Sequence, residues 1–144
     1  MCLMLYLASD HDLALREESH LRIQNVDTDR DAIRQWLSHP HVRYIGAHKV
    51  CGCGFPHVIA DEPVEYHDGI FDEDDPARAD DVRSVRALFG IIAECLRHSD
   101  AVELLPVWVG NEGDRPLGGL ALSLSEQDPA EFLFTEAFLY RITE

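Results

Sequence analysis

Between residues 39 and 57 the chain reads His-Pro-His-Val-Arg-Tyr-Ile-Gly-Ala-His-Lys-Val-Cys-Gly-Cys-Gly-Phe-Pro-His. Four of the eight histidines and two of the four cysteines fall in this one segment. Chemistry that needs soft ligands or thiolates is therefore expected here. His48, Cys51 and Cys53 form the tightest group, and Gly52 and Gly54 allow a sharp loop whose amide hydrogens point inward. Such a loop can wrap a metal, cradle an anion or hold a reactive thiolate.

For zinc, tetrahedral sites draw on Cys thiolates and His nitrogens, four of them when the site is structural. His48, Cys51 and Cys53 supply three. Cys2 is the candidate fourth ligand if the first strand lies beside the strand that ends at His48, and His57 is the local alternative. An open fourth position would make the site catalytic rather than structural. The spacing differs from paired Cys-x-x-Cys knuckles.

Two further readings stand beside zinc. In an extended strand the Cα atoms of Cys51 and Cys53 lie about 6.6 Å apart, near the long limit for a disulfide. A turn at Gly52 shortens that distance but strains the ring, and Lys49 with a protonated His48 favours the thiolate. Thiol redox chemistry follows from this reading, although Gly54-Phe55-Pro56 does not resemble the helix start of an oxidoreductase motif. In the third reading the Cys-Gly-Cys-Gly tract is a packed turn in a metal-free interaction or scaffold module, since Cys is often buried.

Cys2 after Met1, with His48-Lys49-Val50-Cys51-Gly52-Cys53-Gly54-Phe55, resembles a family of short uncharacterised bacterial proteins. Trp108-Val109-Gly110-Asn111-Glu112 and the Phe-rich last strand are similar to that family too. The resemblance covers most of the chain and implies no activity or substrate.

The elements that must position these residues follow from periodicity. Residues 3–7 are continuously apolar and read as a strand covered on both faces. Leu21, Ile23 and Val26 suggest a second strand. Thr28 with Asp31 is a capping-box-like start for a short helix that presents Ile33, Trp36 and Leu37 on one face and stops at Pro40. A strand from Val42 to Ala47 sets Val42 and Tyr44 against Arg43 and Ile45. Asp80 or Asp81 is expected to cap the longest helix, which runs to about His98 and buries Val82, Val85, Phe89, Ile92 and Leu96. Cys95 on that helix reads as a reduced core cysteine.

Strands follow at Val102–Val109 and through Leu120, Leu122 and Leu124, joined by a hairpin-like Gly110–Asp114 turn. The last segment alternates Phe132, Phe134, Phe138, Tyr140 and Ile142. Glu136 shares that register, so it either points inward to a partner such as an Arg or a metal-bound His, or a bend puts it in water. The order predicts a single α+β domain with a mainly antiparallel or mixed sheet and two helices packed on one face. A long acidic loop at about 56–81 interrupts it.

Other chemistry finds no support. Asp72–Asp75 lacks the glycine and closing Glu of a calcium loop, and Ser123 and Ser125 sit in a plain alternating strand without a nucleophile elbow. Phosphate-loop and dinucleotide motifs are missing. With 12 basic and 27 acidic residues the formal charge is −15, and Lys49 is the single lysine. No nucleic acid and no membrane surface is an expected partner; a protein partner or homo-oligomer stays open. The first eight residues lack a basic n-region and no apolar run approaches a membrane span, so the expected location is cytoplasmic and the four cysteines are expected to be thiols, ligands or redox groups.

Overall fold

The computed structural model describes residues 2–59, 76 and 78–144. Among these, β1 (Leu3–Ser9), β2 (Arg16–Glu17), β3 (Leu21–Gln24), β4 (His41–Ala47), β6 (Val102–Trp108), β7 (Gly118–Ser123) and β9 (Phe138–Thr143) form one mixed sheet in the order β2-β3-β4-β1-β6-β9-β7. β5 (His57–Val58) and β8 (Phe134–Thr135) pair in parallel as a small second sheet. The long helix, α1, spans Arg78–Leu96. The acidic run Asp72–Asp75 lies outside the described residues.

β1 is central, antiparallel to both β4 and β6, and every one of its residues is buried. Its continuous apolar run follows from that position, because successive side chains enter two different cores. Leu5 and Leu7 pack with Val85, Leu88, Ile92 and Cys95 of α1, while Met4, Tyr6 and Ala8 pack with Ile33, Val42, Leu105 and Val107. The alternation expected for β4 holds: Ile45 joins the α1 side, Val42 and Tyr44 the other.

The fold is α+β, but α1 and the helical segment Thr28–Trp36, the two longest helical segments among the described residues, pack on opposite faces of the sheet rather than on one face. Residues Thr28–Trp36 form a 3₁₀ helix, without the side-chain cap expected from Thr28 and Asp31. The tighter 3₁₀ winding superposes side chains three apart, which sets Ile33 and Trp36 together on the second core. The indole N–H of Trp36 donates to the Glu112 carbonyl at 3.1 Å, fastening this segment down.

Two other expectations change. α1 starts at Arg78, so Asp80 and Asp81 sit inside its first turn, and its buried face is Ser84, Val85, Leu88, Ile91, Ile92 and Cys95. Val82 is half-buried and faces away from the centre of that stripe. Second, Gly110–Asp114 does not close a hairpin. β9 inserts between β6 and β7, antiparallel to the first and parallel to the second. The turn residues instead fold back on the sheet, where Glu112 is buried.

Candidate metal centre

Antiparallel pairing of β1 with β4 sets the start of β1 beside the end of β4. Cys2 immediately precedes the first, and the Cys51–Phe55 loop follows the second. Ala47 accepts the Val50 amide at 2.9 Å and donates its own to the Cys51 carbonyl at 3.0 Å, closing a tight turn. Val50 occupies that turn at φ 76°, a conformation a β-branched residue adopts only under constraint. The turn also needs Gly46, since a Cβ there would stand 2.2 Å from the Val50 carbonyl oxygen.

Beyond the turn, Gly52–Gly54 makes one 3₁₀ turn that lies directly on β1. A Cβ on Gly52 would stand 2.8 Å from the Leu3 carbonyl oxygen and 3.1 Å from the Leu5 nitrogen. Phe55, fully buried, anchors the far end of the loop against Phe134, ring centres 6.2 Å apart.

This close approach gathers the Sγ atoms of Cys2, Cys51 and Cys53 within 4.8 Å of one another, near enough to hold a metal ion. Sulfurs on one tetrahedral zinc, with bonds of ~2.3 Å, stand ~3.8 Å apart. All three are free thiols; Cys2 is exposed and the other two are half-buried. The Leu3 amide donates to Cys53 Sγ at 3.1 Å, a contact that a negatively charged sulfur rewards more than a neutral one. Tyr44 is electrostatically coupled to the group: burial first, then the charges of Cys51, Cys2 and Cys53, push its phenol up to about 12.

The structure does not bring His48 or His57 into the three-sulfur group. The His48 Nδ1 lies 2.8 Å from Ser84 Oγ and its Nε2 lies 3.4 Å from Asp81 Oδ1. Burial, the largest influence on this imidazole, holds its pKa below the usual value. The Asp81–His48–Ser84 sequence of contacts has the order of a catalytic triad. Ser84, however, is fully buried, and its oxygen also accepts the His48 backbone N–H at 3.1 Å, so it pins the loop to α1. His57 Nδ1 pairs with the Phe55 carbonyl at 2.7 Å, and its ring meets Trp108 edge-on at 5.9 Å.

Glu136 lies at a bend: Ala137 has φ 60°, and the half-buried carboxylate accepts the Trp108 indole N–H. Its partner is neither an arginine nor a metal-bound histidine at that contact. Cys95 is buried in the main core, as expected, and burial raises its pKa.

Sequence patterns did not indicate the buried network around Glu112. Tyr6 and Arg30 donate to its Oε1 at 3.1 and 3.2 Å, and the Gly110 amide donates to Oε2 at 2.9 Å. Burial chiefly, with the Glu112 charge beside it, raises the Tyr6 pKa. A Glu in Asn-Glu-Gly reads as a solvated turn, and nothing local marks it as buried. No helix among the described residues is long and apolar enough to cross a membrane. No family model, curated protein or solved structure matches the chain.

Proposed function

We propose that the protein binds a soft or borderline metal ion, zinc foremost, through Cys2, Cys51 and Cys53. The observation that carries this reading is the convergence of three sulfurs at one end of the paired β1–β4 ladder, where β1 begins and β4 ends, with the Leu3 amide donated to one of them. Thiolates select zinc, copper(I) and iron–sulfur centres among common metals. Three protein ligands with an exposed Cys2 leave a fourth position facing solvent, the arrangement by which zinc binds a water or an exchangeable ligand. His57, whose Nδ1 is tied to the Phe55 carbonyl, lies outside the three-sulfur group and would have to move to fill that position instead.

The test is elemental analysis of untagged protein purified without chelator under reducing conditions, with cobalt(II) as a spectroscopic substitute. About one zinc held at the thiolates, with a sulfur-to-cobalt charge-transfer band that disappears in Cys51→Ser, is the expected outcome. His57→Ala leaves that band in place if the fourth position is open to solvent. Absence of both zinc and the band, with Cys51 and Cys53 rapidly oxidised to a disulfide, would give the site to thiol redox chemistry. Absence of metal and of thiol reactivity would leave a packed turn in an interaction module.

A further inference from the structure

We propose that the protein binds a free α-amino acid with a small apolar side chain, in the cavity between the Gly110–Asp114 turn, the start of β7 and the β8–β9 bend. The cavity measures about 180 Å³. That is room for about six waters, and less than the roughly 300–1,000 Å³ of pockets for drug-sized ligands. None of its lining residues belongs to the three-sulfur group, so this reading goes beyond the metal proposal and either can fail alone.

The floor of the cavity is rigid. Buried Val107 and half-buried Trp108 end β6, and Glu136 and Ala137 make the bend into β9. Ala137 keeps its φ of 60° because it is tied on both sides. Its N–H donates to the Pro106 carbonyl at 2.6 Å, and its carbonyl accepts the Leu117 amide at 2.7 Å. Left-handed backbone outside glycine persists only where its surroundings over-determine it, and such residues cluster at ligand sites. The Trp108 indole is fixed as well, by its N–H donated to the Glu136 carboxylate.

The rim, by contrast, is not satisfied from within the protein. Asp114 and Arg115 are adjacent and both line the cavity, yet among the described residues neither enters an ion pair. Beside them Leu117 is 64% exposed. A lone exposed leucine means nothing. Here it shares one cavity with an indole and with two opposite, uncompensated charges.

That combination selects a ligand by its charges. Asp114 and Glu136 set two carboxylates against the one guanidinium of Arg115. A simple carboxylate would meet Arg115 but also two like charges, and a simple amine would leave Arg115 beside a second cation. A zwitterion satisfies both signs: its ammonium goes to the carboxylates, and its carboxylate takes the planar fork of Arg115. An apolar side chain then covers Leu117 and packs against Val107 and the indole.

The experiment is titration of the full chain with L-leucine, followed through the Trp108 indole N–H and Leu117 methyl resonances. Isocaproate and isoamylamine serve as probes that keep one charge each. Saturable shifts at millimolar leucine are expected, with affinity at least tenfold above either single-charge probe and equal in metal-free and zinc-loaded protein. Arg115→Ala and Asp114→Asn should each weaken leucine binding at least tenfold, and Arg115→Lys should recover part of the loss. Both side chains are exposed, so these variants should keep the natural melting transition. Absence of any shift at millimolar leucine would overturn the proposal. So would a single-charge probe that binds as tightly as leucine, or leucine binding unchanged by Arg115→Ala, which would reduce the site to adventitious contact with the indole.

Discussion

The Leu3 amide and the Cys53 sulfur, 50 residues apart in sequence, are joined by a 3.1 Å hydrogen bond. That bond extends the β1 ladder beyond the end of β4: the loop takes the neighbouring strand's place and substitutes a sulfur for a carbonyl. Gly52 makes it possible, because only a residue without a side chain can pass over the Leu3 carbonyl at this distance.

Gly52→Ala tests this arrangement. The added Cβ would meet backbone rather than a flexible side chain, so relief requires the loop to lift from β1. The expected cost is about 1–3 kcal/mol, the range for overpacking in a close-packed interior. Urea denaturation should record the loss, and cobalt titration of the folded variant should show weakened sulfur binding. A variant of natural stability and natural cobalt affinity would remove the close approach from the account of the site.

Thiol accessibility gives a second prediction. Cys2 is exposed, Cys51 and Cys53 are half-buried, and Cys95 is buried with its pKa raised by burial. Alkylation tracks both exposure and thiolate fraction. Mass spectrometry of metal-free native protein should therefore find Cys2 modified first and Cys95 last, the latter only at the rate at which the fold opens. Zinc should protect Cys2, Cys51 and Cys53 and leave Cys95 unchanged. Labelling of Cys95 as fast as Cys2 would contradict the packing of α1 against β1.

Acid stability supplies a third. His39 Nδ1 lies 3.0 Å from Asp10 Oδ1, and this hydrogen bond is the main reason that the Asp10 pKa falls below 3.8. A depressed carboxylate favours folding above its unfolded pKa and loses that contribution as pH falls through the folded value. Asp10→Asn should then flatten the decline in melting temperature below about pH 4, and the difference should shrink in high salt because Asp10 is exposed. Parallel acid limbs for the two proteins would refute the assignment.

Much of the sulfur site was legible in the sequence. Cys51, Gly52 and Cys53 stood in a segment dense in soft ligands, and Cys2 was expected there if β1 paired with β4, as it does. His48 was not separable by spacing, because its orientation is decided by Ser84 and Asp81 on a helix far along the chain. The covering of β1 on both faces was readable from its unbroken apolar run. Which helix covered which face was not, since periodicity reports a buried side and says nothing of its neighbour. The same limit explains β9: Gly110–Asp114 has hairpin composition, but strand order depends on which edges β6 and β7 offer, a long-range choice.

The Glu112 network yields the last prediction. One carboxylate serves Tyr6, Arg30 and the Gly110 amide, and Glu112 and Tyr6 are both buried. Removing one member of a buried charge pair costs ~3–5 kcal/mol, because the other is left uncompensated. Here Arg30 retains Asp27 at 3.7 Å and a quarter of its side chain in water, so Glu112→Ala should cost about 2–4 kcal/mol. Tyr6→Phe removes one hydrogen bond and should cost about 1–2 kcal/mol. Since the hydroxyl has Glu112 as its partner, the double variant should lose clearly less than the two singles added together, with a coupling of at least ~0.5 kcal/mol. Urea midpoints of the four proteins measure this directly. Strict additivity would mean that the Tyr6 hydroxyl and Glu112 act independently, and that the Gly110–Asp114 turn is held to the sheet by Trp36 and backbone contacts instead.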